Sequence, residues 1–270
     1  KHIVNNSDGN YDDEFSYSDE EDEDSEYDDD SEVVYLPEVD QRNLNSPEKL
    51  AKYAETIYSI ARQDVSELKL AKVSSQQIRQ TQNRIPIELH EFAVKWVFQF
   101  YYEFKMTSDT LYEAITYLNL ALSKEPVDQD RLQLITITCI WIASKMEEKI
   151  PPKLEYIKYV CRNQYQDDDF VQSERKILTL LDFKLNFPTS KMFLRRLLDA
   201  ISAEEEIVEV STFFCDISLL ILELVDYTPM EIGVAAVCLG KVCLNRFCPT
   251  QRLLAYAHLT SKDTVKECCY

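Results

Sequence analysis

Glycine is nearly missing from this chain: three residues in 270, with Gly9 standing in a run of acids. That scarcity excludes Gly-rich phosphate loops, which need glycine to bring backbone N–H groups against a phosphate, and it disfavours strand-rich folds built on tight turns. Histidine is as sparse. His2, His90 and His258 are scattered without metal-ligand spacing, and no nucleophile–base arrangement is apparent. The expectation is a protein with no catalytic, metal or cofactor-binding residues. Long apolar runs are lacking too. The longest uncharged stretch, Leu132 to Ser144, falls short of the roughly 20 residues that span a bilayer, so no membrane partner is expected. No signal peptide is visible, and the start at Lys1 leaves open a targeting or degradation segment upstream.

A basic excess is also absent. The net charge is −19, and fifteen of the acids lie between Ser7 and Glu32 with no Lys or Arg among them, which leaves the remainder at −4. A duplex-binding surface needs basic patches to displace counterions, so no nucleic-acid partner is expected. Cysteine, by contrast, is present eight times but without a C-x-x-C pair. Cys139, Cys161, Cys215, Cys238, Cys243 and Cys248 are embedded in apolar or mixed segments, while Cys268 and Cys269 are adjacent at the end. Free thiols acting as small hydrophobes in a reducing, intracellular compartment are the simpler inference.

What is there is helical periodicity, with prolines at segment edges, and the reading is all-α. Residues 1–45 are dense in Asp, Glu and Ser and cannot bury enough surface to offset chain entropy, so a disordered acidic tail is expected. Ser16, Ser18 and Ser25 each have an acid three residues on, which suits an acidophilic kinase; a solubilising role is the plainer alternative. Residues 46–84 read as an N-terminal helix and linker. Ser46 is its N-cap, Pro47 its first residue, and Tyr53, Ile57, Ile60 and Ala61 form one stripe of a helix running to about Lys72. The polar "VSSQQIRQTQNR" follows as a connector.

Residues 85–187 read as five helices. In the first, His90, Glu91, Lys95, Gln99 and Glu103 recur at helical spacing and leave Phe92, Ala93, Trp96, Val97 and Phe100 for a core. The second is capped by Ser108 or Asp109. The third, "DQDRLQLITITCIWIASKM", is apolar on nearly every side and is expected to be the axis of a bundle. Short helices follow around Leu154–Arg162 and Asp167–Phe183. A second cycle, 188–270, repeats the order. It has a long helix through "EEEIVEVSTFFCDISLLILELVDY", a Thr228-x-x-Glu231 capping box with Pro229 opening an all-apolar third helix, and a last helix from Thr260.

Two charges stand out. On a helical wheel Lys145 lies on the line of Leu134, Thr138 and Trp141, which precede it by 11, 7 and 4 positions, so that face must leave the core at its C-terminal end. Glu174 sits amid Phe170, Val171, Ile177, Leu178 and Leu181, and an acid in an apolar stripe is costly if buried alone. Either the two pair with each other, or they face a partner.

"LQLITITCIWIASKMEEKIPP" resembles the cyclin-box core, and "DYTPMEIGVAAVCLG" is similar to the Pro-Ser-x-Ile-Ala-Ala-Ala stretch of the second fold in A- and B-type cyclins, with Met230 where Ser is usual. The likeness covers Ser46 to Tyr270 and implies two tandem five-helix cyclin folds. It further implies a regulatory, non-enzymatic subunit that binds and activates a cyclin-dependent Ser/Thr kinase in cell-cycle control, of mitotic type, in nucleus and cytoplasm. In the family, the residues matching Lys145 and Glu174 bond kinase backbone, and Met146, Leu178, Phe183 and Leu185 match the apolar contact surface, with Tyr53, Ile57 and Ile60 added by the N-terminal helix.

The family's groove for short docking peptides, on substrates or inhibitors, would fall on "LHEFAVKW". Leu89, Phe92 and Trp96 lie there with Gln99, while Leu132 and Gln133 supply the other wall. Gln99 replaces a Glu that often receives the ligand's basic residue, and His90 and Lys95 replace an Arg and an Asp. No destruction box stands in the tail, and "RLQL" and "RKIL" lie inside helices. A transcription-type cyclin acting on an RNA polymerase kinase, and a factor-IIB-like DNA-binding protein, are the rival resemblances.

Overall fold

The computed structural model describes residues 38–43, 51–67, 73–248, 250–259 and 262–269. Among them the regular structure is helical throughout. α1 (Glu38–Asn43), α2 (Ala51–Glu67) and α3 (Ser75–Thr81) precede two five-helix units. The first unit holds α4 (Glu88–Glu103), α5 (Ser108–Lys124), α6 (Gln129–Glu147), α7 (Leu154–Val160) and α8 (Asp167–Leu180). The second holds α9 (Ser190–Ala200), α10 (Glu205–Ser218), α11 (Pro229–Cys243), α12 (Thr250–Ala257) and α13 (Lys262–Cys269). The all-α tandem reading is met.

α6 is the axis of the first unit. Leu132, Leu134, Ile137, Ile140, Ile142 and Ala143 are buried on successive sides of it, and α4, α5 and α8 pack around. Its polar members do not break the apolar surround, because the Thr136 and Thr138 hydroxyls donate back to the Leu132 and Leu134 carbonyls at 2.8 and 2.7 Å. α11 plays the same part in the second unit. Thr228 Oγ1 accepts from Glu231 N at 3.3 Å while Glu231 Oε2 accepts from Thr228 N at 2.7 Å, and Pro229 opens the helix. Its small residues let backbones meet. A Cβ on Gly240 would overlap Ser211 Oγ and stand 3.1 Å from Ser211 N, so α10 lies directly against it.

Side chains knit the units together. Arg195 on α9 clasps Asp109 at the start of α5 through two bonds of 2.8 and 3.0 Å, and the Tyr112 hydroxyl donates to Asp216 at 2.6 Å. The linker is tied as well. The Gln82 amide donates to the Leu122 and Glu125 carbonyls, both at 2.6 Å, and accepts from Val127 N at 3.0 Å, closing the end of α5.

Several expectations need correction. The acidic tail is expected to reach residue 45, but residues 38–43 form α1, in which Val39 and Asp40 are buried. Arg196 is the cause: its guanidinium bonds both Asp40 oxygens at 2.5 and 2.6 Å and lies 5.0 Å from the Tyr58 ring centroid, joining α1 and α2 to α9. The Ser46 and Pro47 start, residues 68–72 and the Thr260 cap lie outside the described residues. The "connector" contains α3, whose first turn is capped by Asp226, accepting from Ser75 N and Oγ at 2.7 Å each. That same demand breaks the expected long helix, since α10 stops at Ser218 and Leu222–Asp226 form a 3-10 turn that brings Asp226 to α3.

The core face of α4 is His90, Ala93, Val94, Val97 and Phe100, rotated by about one residue, which leaves Phe92 exposed. His90 goes inward because Asn119 Oδ1 meets its Nε2 at 2.7 Å, and burial lowers its pKa despite that bond. On α2, Ala61 packs inward with Val65 on Phe193, while Tyr53, Ile57 and Ile60 beside it on the helix stay exposed.

Replacing Asp40 by Ala leaves a buried guanidinium without its carboxylate. We expect faster amide exchange over 39–43 and a loss of about 3 kcal/mol in denaturant unfolding; unchanged exchange there would show that the clamp does not hold α1.

Candidate functional site

α6 has to let its last turn out of the core. Trp141 anchors that exit, donating its indole N–H to the Pro152 carbonyl at 3.2 Å and meeting the Phe170 ring edge-on at 6.3 Å. Lys145, one turn on, lays its ammonium 3.8 Å from the Trp141 ring centroid and pairs with Glu174 of α8. The side chains of Lys145 and Glu174 remain 34 % and 22 % exposed, so the pair forms within the chain and still faces outward. An ion pair so placed contributes only about 1 kcal/mol or less. Glu148 turns the other way, and its Oε1 accepts from Thr107 N at 2.7 Å and Thr110 Oγ1 at 2.6 Å, capping α5 in place of Ser108 or Asp109.

Apolar side chains accompany the pair along α6, α8 and the segment after α8. Met146 and Val171 are exposed, while Leu178 and Leu185 are half-buried against the core. α8 buries Phe170, Ser173 and Ile177, so Val171, Glu174 and Leu178 stand at the edge of its core stripe rather than in it. Phe183 is 69 % exposed, and it and Asp182 have φ of 57° and 53°. An aromatic held in the left-handed region costs about 1–3 kcal/mol, and here it holds a large ring in water at the end of α8. Tyr53, Ile57 and Ile60 are exposed on α2, whose inward contacts run to α9.

Beneath this surface lies a group absent from the sequence reading. The Tyr117 hydroxyl has one proton but two acceptors in reach, Glu113 Oε2 at 2.8 Å and the Leu185 carbonyl at 2.5 Å. Both contacts are satisfied when Glu113 carries a proton and donates it to Tyr117, which then donates to Leu185. Burial pushes the Glu113 carboxyl up to about 7, with Glu147 and Asp109 adding to the rise and the Tyr117 bond opposing it.

The docking-groove residues are only partly brought together. Trp96, Gln99 and Gln133 line one cavity of about 290 Å³ with Val160 and Arg162. Leu132 is 1 % exposed and so offers no wall, Leu89 is half-buried, and Phe92 stands in solvent with the Lys95 ammonium 5.5 Å from its ring centroid. Arg162 was not foreseen. It is placed by a left-handed corner, φ 53° at both Arg162 and Asn163, that ends α7. Among the described residues no cluster of His, Cys, Asp or Glu could hold a metal, and no helix is long and apolar enough to cross a membrane.

Two family models match the chain: "Cyclin, N-terminal domain" over residues 59–186 and "Cyclin, C-terminal domain" over 188–270. "Cyclin-A1-4" of Oryza sativa subsp. japonica is 29% identical over 219 residues, 79% of this chain and 60% of its own length. "G2/mitotic-specific cyclin-B" of Emericella nidulans is 27% identical over 229 residues, 85% of this chain and 47% of its own. The chain thus spans about half the length of the curated relatives it matches. The X-ray structure of a viral cyclin from herpesvirus saimiri superposes with a TM-score of 0.64 at 18% identity, covering 76% of this chain and 95% of that one, a likeness of fold.

Glu113 makes stability depend on pH. With its folded pKa near 7, above the ordinary 4.5, the native state keeps a proton that the unfolded chain sheds. Stability from this group is therefore full at acid pH and falls between pH 4.5 and about 7, by about 3 kcal/mol. Glu113→Gln should flatten that fall and be the more stable protein at pH 8, as measured by urea unfolding across pH; an unaltered slope would place the proton elsewhere.

Proposed function

The chain belongs to the cyclin family, whose members are non-catalytic regulatory subunits of protein kinases, and we propose that it binds and activates a cyclin-dependent Ser/Thr kinase of the cell-division cycle, in the manner of the mitotic A- and B-type members. The observation that carries this reading is the outward-facing Lys145–Glu174 pair, with Met146 next to it on α6, Leu178 one turn along α8, and Phe183 and Leu185 in the segment that follows α8. Pairing within the chain and contact with a partner are compatible. An ammonium has three donors and a carboxylate about four acceptor sites, so after one mutual bond each keeps capacity for a kinase backbone carbonyl or amide. The mutual bond and the Trp141 ring hold both charges in place beforehand, which lowers the ordering cost of binding. The exposed apolar side chains supply the area, and the charges supply register. Tyr53, Ile57 and Ile60 extend the contact from α2.

Activation follows from differential affinity. Kinase chemistry needs its Lys–αC Glu pair formed, and a partner that fits only that arrangement shifts the population toward it. A nuclear and cytoplasmic place accords with such a partner.

A docking role is proposed for the Trp96 cavity, with an altered taste. Gln99 in place of an acid, and Arg162 at the same cavity, disfavour basic short peptides.

The Lys145→Ala, Glu174→Ala double variant should melt within about 1 kcal/mol of the parent yet lose roughly tenfold or more in activation of the purified kinase. Full activation by it would dispose of the reading. The kinase that co-purifies decides the subtype, and recovery of an RNA polymerase-directed kinase would favour the transcription type. For the cavity, Trp96→Ala should abolish peptide binding and Arg162→Glu should strengthen binding of basic peptides; equal affinity of wild type and Trp96→Ala would discard the groove.

A further inference from the structure

At the far end of the second unit two thiols meet. Cys238 on α11 and Cys248, two residues before α12, have their Sγ atoms 3.3 Å apart, and both are partly exposed. From this juxtaposition we infer that Cys238 and Cys248 form a reversible disulfide, a redox modification site independent of the kinase contact.

The surroundings suit the chemistry. Cys248 lies just ahead of the N-terminus of α12, where the positive end of the helix dipole favours a thiolate. The Thr250 hydroxyl approaches its sulfur at 3.6 Å. The Cys238 thiol bond lowers the Cys248 pKa first, with Thr250 and the Lys241 ammonium adding to it, while Cys238 is correspondingly raised. The start of α12 and the Thr250 hydroxyl both stand on the Cys248 side of the pair, which makes Cys248 the nucleophile. A disulfide needs about 2.05 Å, so the sulfurs must close by roughly 1.3 Å. The segment between them can give that distance. Asn245 turns it at φ 52°, Phe247 is 85 % exposed, and Cys243 is exposed.

The oxidant is hydrogen peroxide. The Cys248 thiolate attacks the peroxide oxygen, the O–O bond breaks, and Cys248 becomes a sulfenic acid as hydroxide leaves. The Cys238 sulfur then attacks the Cys248 sulfur, the S–S bond forms, and the sulfenic oxygen leaves as water with the Cys238 proton. Two thiols lose two electrons in all, and one peroxide becomes two waters. The bridge closes a ring over 238–248 and fixes the α11–α12 corner.

Trypsin separates the thiols, because Lys241 and Arg246 lie between Cys238, Cys243 and Cys248. After hydrogen peroxide treatment of the full chain, the peptide ending at Lys241 should appear linked to Phe247–Arg252, with fragment ions placing the link on Cys238 and not on Cys215, and separate on reduction. At pH 7 iodoacetamide should label Cys248 roughly tenfold faster than the exposed Cys243. Cys238→Ser should leave a dimedone-reactive sulfenic acid on Cys248, and Cys248→Ser should leave Cys238 unoxidised at the same dose. Linkage of Cys248 to Cys243 or Cys269 instead, or labelling of Cys248 no faster than Cys243, would overturn the proposal, and both are read on the wild-type chain whether or not a variant folds.

Discussion

A helix with no polar side must be enclosed by others, and α6 imposes that requirement on the first unit. With Leu132, Ile137, Ile140 and Ile142 buried around its circumference, it needs α4, α5 and α8 about it, and their own apolar stripes are used up in meeting the need. What remains open is how such a helix ends. Its last turn cannot stay in an apolar surround, so it comes out beside Trp141, with Lys145 lying on the ring and Glu148 reaching back to cap α5. The charged exit follows from the apolar axis, and the proposed kinase surface is built on the exit.

The second unit repeats the solution with smaller side chains. α11 uses Gly233, Ala235, Ala236 and Gly240 where α6 uses leucine and isoleucine, so its neighbours come closer. The two bundles share one continuous apolar core, and polar contacts, Arg195 to Asp109 and Tyr112 to Asp216, cross from one to the other. Interfaces of that kind set a defined angle between rigid bodies because each bond has a preferred direction. Phe183 and Leu185 lie in the segment between the bundles, so the same angle positions part of the proposed contact.

Much of this was legible in the residues. Both buried axes, the two five-helix units and the Thr228–Glu231 box follow from period and spacing, which are local quantities, whereas spacing singles out Lys145 and Glu174 but leaves open whether they meet. The misses share a cause, a partner far along the chain. Nothing near Asp40 announces that Arg196 will reach it, and nothing in "LLILELVDY" says that Asp226 must cap α3. His90 reads as a surface residue until Asn119 is seen beside it, and once it turns inward Phe92 must turn out. Arg162 was missed for another reason: a left-handed corner, not a pattern, aims it at the cavity.

That corner belongs to a set. Lys105, Arg162, Asp182, Ser202, Asn245 and His258 all have φ near 50°, and the N–H of the residue after each, Met106, Asn163, Phe183, Ala203, Arg246 and Leu259, bonds a carbonyl five residues back, as in a Schellman helix end. Glycine normally occupies such positions, because a Cβ there costs about 1–2 kcal/mol. A chain so poor in glycine therefore carries several kilocalories of latent stability in its helix ends. Thermal tolerance could be raised at Lys105, Ser202 or His258 by a change of one atom group each, with the packed interior left alone.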